Sequence, residues 1–187
     1  MNRYNQLVDI VRNLKPISVI EIGAHRGDRA ELLCRTALEQ RPTRSVHYRG
    51  YDLFEEANDQ TDVEEKNGKG PATLEGLRQR LLKIERLVFA LIAGNTRTTL
   101  SGKNISAEFA FIDGGHSIQT IFSDYVAVHN SNVVVFDDYY TSGVDTTKWG
   151  CNALLAMVPH EVLPIEDRFG DVGIKLAVVR NEAHAWR

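Results

Sequence analysis

Apolar residues recur along the chain at two spacings, one helical and one strand-like, and the two alternate. Leu7, Ile10, Val11 and Leu14 repeat at helical intervals until Pro16, which predicts an amphipathic helix over residues 3–14. The apolar, β-rich run 17–22 ending at Gly23 predicts a buried strand and a tight turn. Ala30, Leu33, Cys34, Ala37 and Leu38 then share one helical face until Pro42. A second strand is predicted over 46–53, a helix over 71–86 with Leu74, Leu77, Leu81 and Ile84 inward, and a third strand over 87–93. A fourth strand follows over 109–112, a helix marked by Ile118, Ile121, Phe122, Tyr125 and Val126, and a fifth strand over 133–136. Cys151, Leu154, Leu155 and Val158 mark a last helix. The runs 160–165 and 173–179, separated by the turn-forming stretch 167–171, predict an antiparallel hairpin.

Strands that alternate with helices imply a mainly parallel sheet covered on both faces, with ligands bound at the carboxyl ends of the strands. The expected architecture is a single α/β domain over residues 1–187 with about seven strands and a C-terminal antiparallel hairpin. Residues 55–70 stand outside the alternation: six acidic residues, two Lys and two Gly, with no apolar period. They read as a solvated loop or as a mobile lid over the strand ends, and 141–148 is a second lid candidate.

Composition narrows the partners. Of 187 residues 43% are hydrophobic and 25% charged, as in soluble globular proteins. Lys and Arg total 22 against 25 Asp and Glu, a net charge of -3, which lacks the basic excess that tracks a phosphate backbone. Residues 1–15 lack the apolar core of a signal peptide and no run has membrane-spanning length, so no nucleic-acid or membrane partner is expected and the expected location is cytoplasmic. Cys34 and Cys151 have no paired-ligand spacing and lie among apolar residues, which reads as two reduced core thiols.

The candidate chemistry sits at strand ends. Glu21-Ile-Gly-Ala-His-Arg-Gly27 joins the first strand to the first long helix after it, and its spacing is G-x-x-x-G instead of the G-x-G-x-x-G of dinucleotide sites. Glu21 would repel a pyrophosphate but not a sulfonium ligand carrying an amino group. The turn resembles the first motif of the class I S-adenosylmethionine (SAM)-dependent methyltransferases. The resemblance continues through Tyr51-Asp52-Leu53, Gly94-Asn95-Thr96 and Asp113, four strand ends in the family's order covering roughly residues 17–140. It implies a Rossmann-like class I methyltransferase fold and SAM as cofactor, held by Glu21, Gly23, Ala24, Gly27, Arg29, Asp52, Leu53, Asn95, Thr96, Asp113 and Gly114. Within that set Asp52 would accept both ribose hydroxyls, as a carboxylate can, and Arg29 would hold the methionine carboxylate. Asp52 also reads as a turn cap, and Arg29 as an exposed helix residue.

Phe111-Ile-Asp113-Gly-Gly-His116 and Val135-Phe-Asp137-Asp138-Tyr139 each lead an apolar strand into carboxylates. Three converging carboxylates repel one another unless a cation lies between them, and oxygen-only ligands suit Mg2+ or Ca2+ better than zinc. Helix caps or Arg partners are the other reading of these residues. The pattern is similar to the metal-dependent O-methyltransferases of the catechol and macrolide-sugar types. That resemblance implies Asp113, Asp137 and Asp138 as ligands of a divalent metal, Mg2+ foremost, and His116 as the general base. His116 and Asp138 stand where catechol-type enzymes carry Lys and Asn, which shifts the expected acceptor toward sugar-like hydroxyls. His25, His47, His129, His160 and His184 read as surface or packing residues.

The implied activity is methyl transfer from SAM to a hydroxyl of a small-molecule acceptor, sugar-like or a natural product, with a homodimer allowed for. Two other functions compete: a metal-dependent hydrolase built on the Asp/His cluster, which leaves Asp52 and the Glu21–Gly27 turn without a role, and a SAM-binding module without catalysis.

Overall fold

The computed structural model describes residues 2–66 and 68–181. Its elements run α1 (Arg3–Leu14), β1 (Ser18–Ile22), α2 (Asp28–Glu39), β2 (Val46–Asp52), a 3-10 turn (Phe54–Glu56), α3 (Asp59–Glu65), α4 (Leu74–Leu81), β3 (Leu87–Ala93), α5 (Thr96–Thr99), β4 (Phe109–Ile112), α6 (Ile118–Val128), β5 (Val133–Ser142), α7 (Asn152–Leu155), β6 (Glu161–Phe169) and β7 (Val172–Arg180). The strands form a seven-stranded sheet in the order β3-β2-β1-β4-β5-β7-β6. β1 to β5 pair in parallel with one another, while β7 is antiparallel to both β5 and β6. This is the expected α/β architecture with its terminal hairpin.

Strand periodicity divides the core between the two faces. Val19, Phe109, Phe111, Val133 and Val135 pack with Leu7 and Val11 of α1, Leu33 of α2 and Leu77 of α4. The alternate positions Ile20, Ala110, Ile112, Val134 and Phe136 pack with Ile121 and Val128 of α6 and Leu154 of α7. Successive side chains of a strand point to opposite faces, so strands covered on both sides read as continuous apolar runs. Cys34 and Cys151 are free and buried, one in each half of the core. Among the described residues no helix is long and apolar enough to cross a membrane.

Three differences from the sequence reading bear on the site. The acidic segment 55–70 contains α3, started by a capping box in which the Asn58 side chain accepts from Gln60 and Thr61 amides. The helix expected over 71–86 is shorter, beginning after Thr73, whose hydroxyl caps Gly76 N–H at 3.1 Å. Most consequentially, β5 runs on to Ser142 through an irregularity between Phe136 and Tyr139, so Asp137 and Asp138 lie inside the sheet and not beyond its end.

Candidate active site

The carboxyl ends of β1 to β4 open into a cavity of about 470 Å³. β1 leaves the sheet at Gly23, where φ is +92° and a Cβ would stand 1.9 Å from the carbonyl oxygen of Asp113. The first turn and the end of β4 therefore touch backbone to backbone, which glycine alone permits. Gly27, at φ +86°, opens α2, and a Cβ there would meet Leu77 Cδ1 at 2.2 Å.

Asp52, at the end of β2, ties two segments together. Its Oδ2 accepts from His25 N–H at 2.8 Å and its Oδ1 from Phe54 N–H at 2.9 Å. Each carboxylate oxygen accepts more than one bond, so acceptor positions remain for a diol. Arg29 lies with its guanidinium 3.4 Å from the centre of the Tyr4 ring, and its Nε is buried with no hydrogen-bond partner. A buried donor without a partner is costly, and a ligand carboxylate would satisfy it. Asn95 caps α5 by accepting from Arg97 N–H at 2.9 Å, and Thr96 follows on the cavity wall.

Glu21 is placed elsewhere. It is fully buried and is not among the lining residues; Tyr48 donates to its Oε2 at 2.6 Å. The pairing of β1 with β2 sets Glu21 opposite Gly50, and a Cβ on Gly50 would stand 2.7 Å from the Tyr48 hydroxyl oxygen. The missing side chain thus leaves room for the Tyr48 to Glu21 bond. Burial pushes the Glu21 carboxyl up to about 8.

Of the three carboxylates expected to hold a metal, Asp137 is bound by a different cation. Arg3, the first residue of α1, donates from Nε to Asp137 Oδ1 at 2.7 Å and from Nη2 to Asp137 Oδ2 at 2.9 Å. Tyr4 O–H donates to the same Oδ2 at 2.8 Å, and Arg3 Nη1 donates to Asp167 Oδ2 at 2.9 Å. Burial opposes the charge on Asp137, yet the Arg3 guanidinium outweighs it and holds this carboxyl below the usual range. Burial, and then the charge of Asp137 nearby, push the Asp113 carboxyl well above the usual range.

Asp138 faces the other way, with Oδ2 3.6 Å from His116 Nε2 and Oδ1 accepting from Tyr140 O–H at 3.2 Å. Burial raises its carboxyl, which His116 offsets only in part. As arranged, the set does not fit a divalent ion: both oxygens of Asp137 are taken by Arg3 and Tyr4, and Asp138 turns toward His116 and Tyr140. Among the described residues no group of three or more His, Cys, Asp or Glu side chains is disposed to hold a metal.

The acidic segment forms part of the cavity wall. Glu65, at the end of α3, accepts from Ser117 N–H at 2.8 Å, Ser117 O–H at 3.0 Å and Thr120 O–H at 2.5 Å, which fastens α3 to the start of α6. Lys66 Nζ lies 4.6 Å from the centre of a Trp149 ring, and His25 Nε2 is hydrogen-bonded to Gly70 O at 3.1 Å. Thr61, Asp62, Glu64 and Glu65 line the cavity, whereas residues 141–148 do not.

No protein-family model matches the chain, and no curated protein sequence does. Solved structures do match. The O-methyltransferase TomG of Streptomyces achromogenes, involved in tomaymycin synthesis and solved with SAM, superposes with a TM-score of 0.59 at 16% identity, over 95% of this chain and 79% of its own. The chain has the class I SAM-dependent methyltransferase fold. The N-terminal domain of EvdMO1, solved in the presence of SAH and D-fucose, gives 0.58 at 13% identity, over 97% and 84% of the two chains. A Bacillus cereus O-methyltransferase in complex with SAH gives 0.54 at 14% identity, over 94% and 79%.

Within this methyltransferase fold, Gly23, Ala24, Gly27, Arg29, Asp52, Leu53, Asn95, Thr96, Asp113, Gly114 and His116 all line the cavity. Glu21, Asp137 and Asp138 do not, the first because it turns into the core and the others because the long β5 carries them inside the sheet. The wall also holds Tyr4, His25 and Glu65, which the sequence reading left out. His25 was within reach, since it lies inside the first-motif turn. Tyr4 gave no local signal, and His184 falls outside the described residues.

Proposed function

We propose that this protein transfers a methyl group from SAM to a hydroxyl of a small, sugar-like or natural-product acceptor. One observation carries the reading: the four strand-end motifs meet in a single cavity, with Asp52, Arg29 and His116 on its wall. When bound, SAM supplies a methyl group on a positively charged sulfur. Arg29, with its unpartnered buried Nε, holds the carboxylate of the methionine end, and Asp52 holds the ribose hydroxyls through acceptor positions that His25 and Phe54 leave open. Gly94, Asn95 and Thr96 border the adenine.

His116 takes the proton from the acceptor hydroxyl. It stands just past β4 with a side chain 16% exposed, and Asp138 behind it stabilises the imidazolium that forms. The remaining rate enhancement comes from holding the two reactants in attack geometry. Structures of similar fold solved with SAM, or with SAH and D-fucose, support a SAM site and a sugar-like acceptor. A hydrolase would require a metal-held water, for which the carboxylate set is not disposed.

The test is calorimetric titration with SAM and SAH, followed by transfer of a labelled methyl group from SAM to a panel of sugars and phenols. Binding together with label in at least one hydroxyl acceptor is expected. Failure to bind either nucleoside removes the reading.

A further inference from the structure

We infer that Arg3 takes the place of a divalent cation in this site, so that the Asp113, Asp137 and Asp138 cluster binds no metal and the transfer it supports is metal-independent. The catalytic half of this statement rests on the methyltransferase reading above; the metal half rests on geometry alone.

Asp137 is 2% exposed and Arg3 6% exposed, so the pair is sealed from water. The guanidinium approaches Asp137 side-on, with one donor on each oxygen at 2.7 and 2.9 Å, the two-pronged arrangement in which this pairing is strongest. Tyr4 adds a third donor at 2.8 Å. Arg3 is itself clasped by Asp167, through both its side chain at 2.9 Å and its backbone N–H at 3.2 Å. A metal ion on Asp137 would have to displace a guanidinium held on two sides, and the displaced charge would remain buried against the ion.

The same contact builds the cavity. Arg3 and Tyr4 are adjacent on α1, and the Tyr4 ring carries the Arg29 guanidinium 3.4 Å from its centre. Binding Asp137 through Arg3 therefore seats Tyr4 beneath the group assigned to the methionine carboxylate. A hydrated ion in this position would give α1 no such anchor. Arg3 is accordingly a positioning residue: it acts through Asp137 and Tyr4 and does not touch the reactants.

The experiment titrates the protein with Mn2+, followed by electron paramagnetic resonance and calorimetry, and repeats the titration on Arg3→Met, on Arg3→Gln and on each variant combined with Asp137→Asn. The parent should bind no Mn2+ at millimolar concentration, and its melting temperature should be the same in EDTA and in Mg2+. Removing the guanidinium frees Asp137, so Arg3→Met or Arg3→Gln, whichever folds, should gain Mn2+ binding that Asp137→Asn then abolishes. Stoichiometric binding by the parent, lost in Asp137→Asn, would overturn the inference. So would a folded Arg3 variant that gains no site; if neither variant folds, the parent's Mn2+ titration and its melting temperatures in EDTA and in Mg2+ decide the matter. None of these readouts involves SAM, so they stand or fall separately from the methyltransferase reading.

Discussion

The Tyr48 hydroxyl donates to the Glu21 carboxyl group over 2.6 Å, and neither residue is more than 1% exposed. The bond joins β1 to β2 just before the turn at Gly23, which lines the cavity. Burial of Glu21, which this bond only partly offsets, gives the fold a pH dependence of definite sign.

Burial raises the Glu21 carboxyl from 4.5 to about 8 in the folded state. Between those values the folded protein keeps a proton that the unfolded chain has released, so stability falls as pH rises across the window, with a slope up to about 1.4 kcal/mol per pH unit. Asp124, pushed up to about 7 by burial, titrates in the same range, so the comparison must isolate Glu21. Urea unfolding of Glu21→Gln and the parent should give a difference that moves in favour of the variant as pH rises through the window. A constant difference would mean that Glu21 is ionised in the folded state.

Asp52 ties the first turn to the segment after β2 and, in the proposed function, also holds the ligand. Asp52→Ala removes a charged acceptor from the cavity and releases the His25 and Phe54 amides, so SAM affinity should weaken by about 10- to 150-fold, equivalent to roughly 1.5 to 3 kcal/mol. Calorimetry on the folded variant checks this. Unchanged affinity would leave Asp52 a turn cap only.

Glu65 fastens the acidic helix to α6 through three acceptor bonds, and a carboxylate at a helix start also opposes the positive end of the dipole. Glu65→Ala should therefore cost about 1 to 3 kcal/mol and speed hydrogen exchange at the Ser117 amide and through residues 59–65. Protection equal to the parent's would show that α3 is held by other contacts.

His116→Ala should slow methyl transfer by about 10² to 10⁴-fold and leave SAM affinity nearly unchanged, because a general base acts in the transition state and not on the cofactor. The check is single-turnover kinetics with an acceptor found in the labelled-methyl screen. A variant that keeps most of its rate would return His116 to an ordinary loop residue.

The order of helices and strands, the parallel sheet with its terminal hairpin and the strand-end motifs were legible because each is written in neighbouring residues. Apolar periodicity sets which face an element buries, and a glycine with positive φ ends a strand wherever the chain must turn sharply. The acidic segment was harder to read: its helix has no buried face, so a local cap and not an apolar stripe announces it.

Only the tertiary structure decided the chemistry of the carboxylates. Arg3 and Asp137 are 134 residues apart, and their contact depends on where α1 lies, on the irregularity that keeps β5 in the sheet past Phe136, and on β6 bringing Asp167 to the same place. The sequence brought acidic residues to the end of β4 and the middle of β5 and so required a positive charge. Whether that charge is an ion or a guanidinium is fixed by the packing of elements distant in sequence, which no local pattern encodes. Glu21 follows the same logic, since its direction is determined by the space that Gly50 leaves on the neighbouring strand.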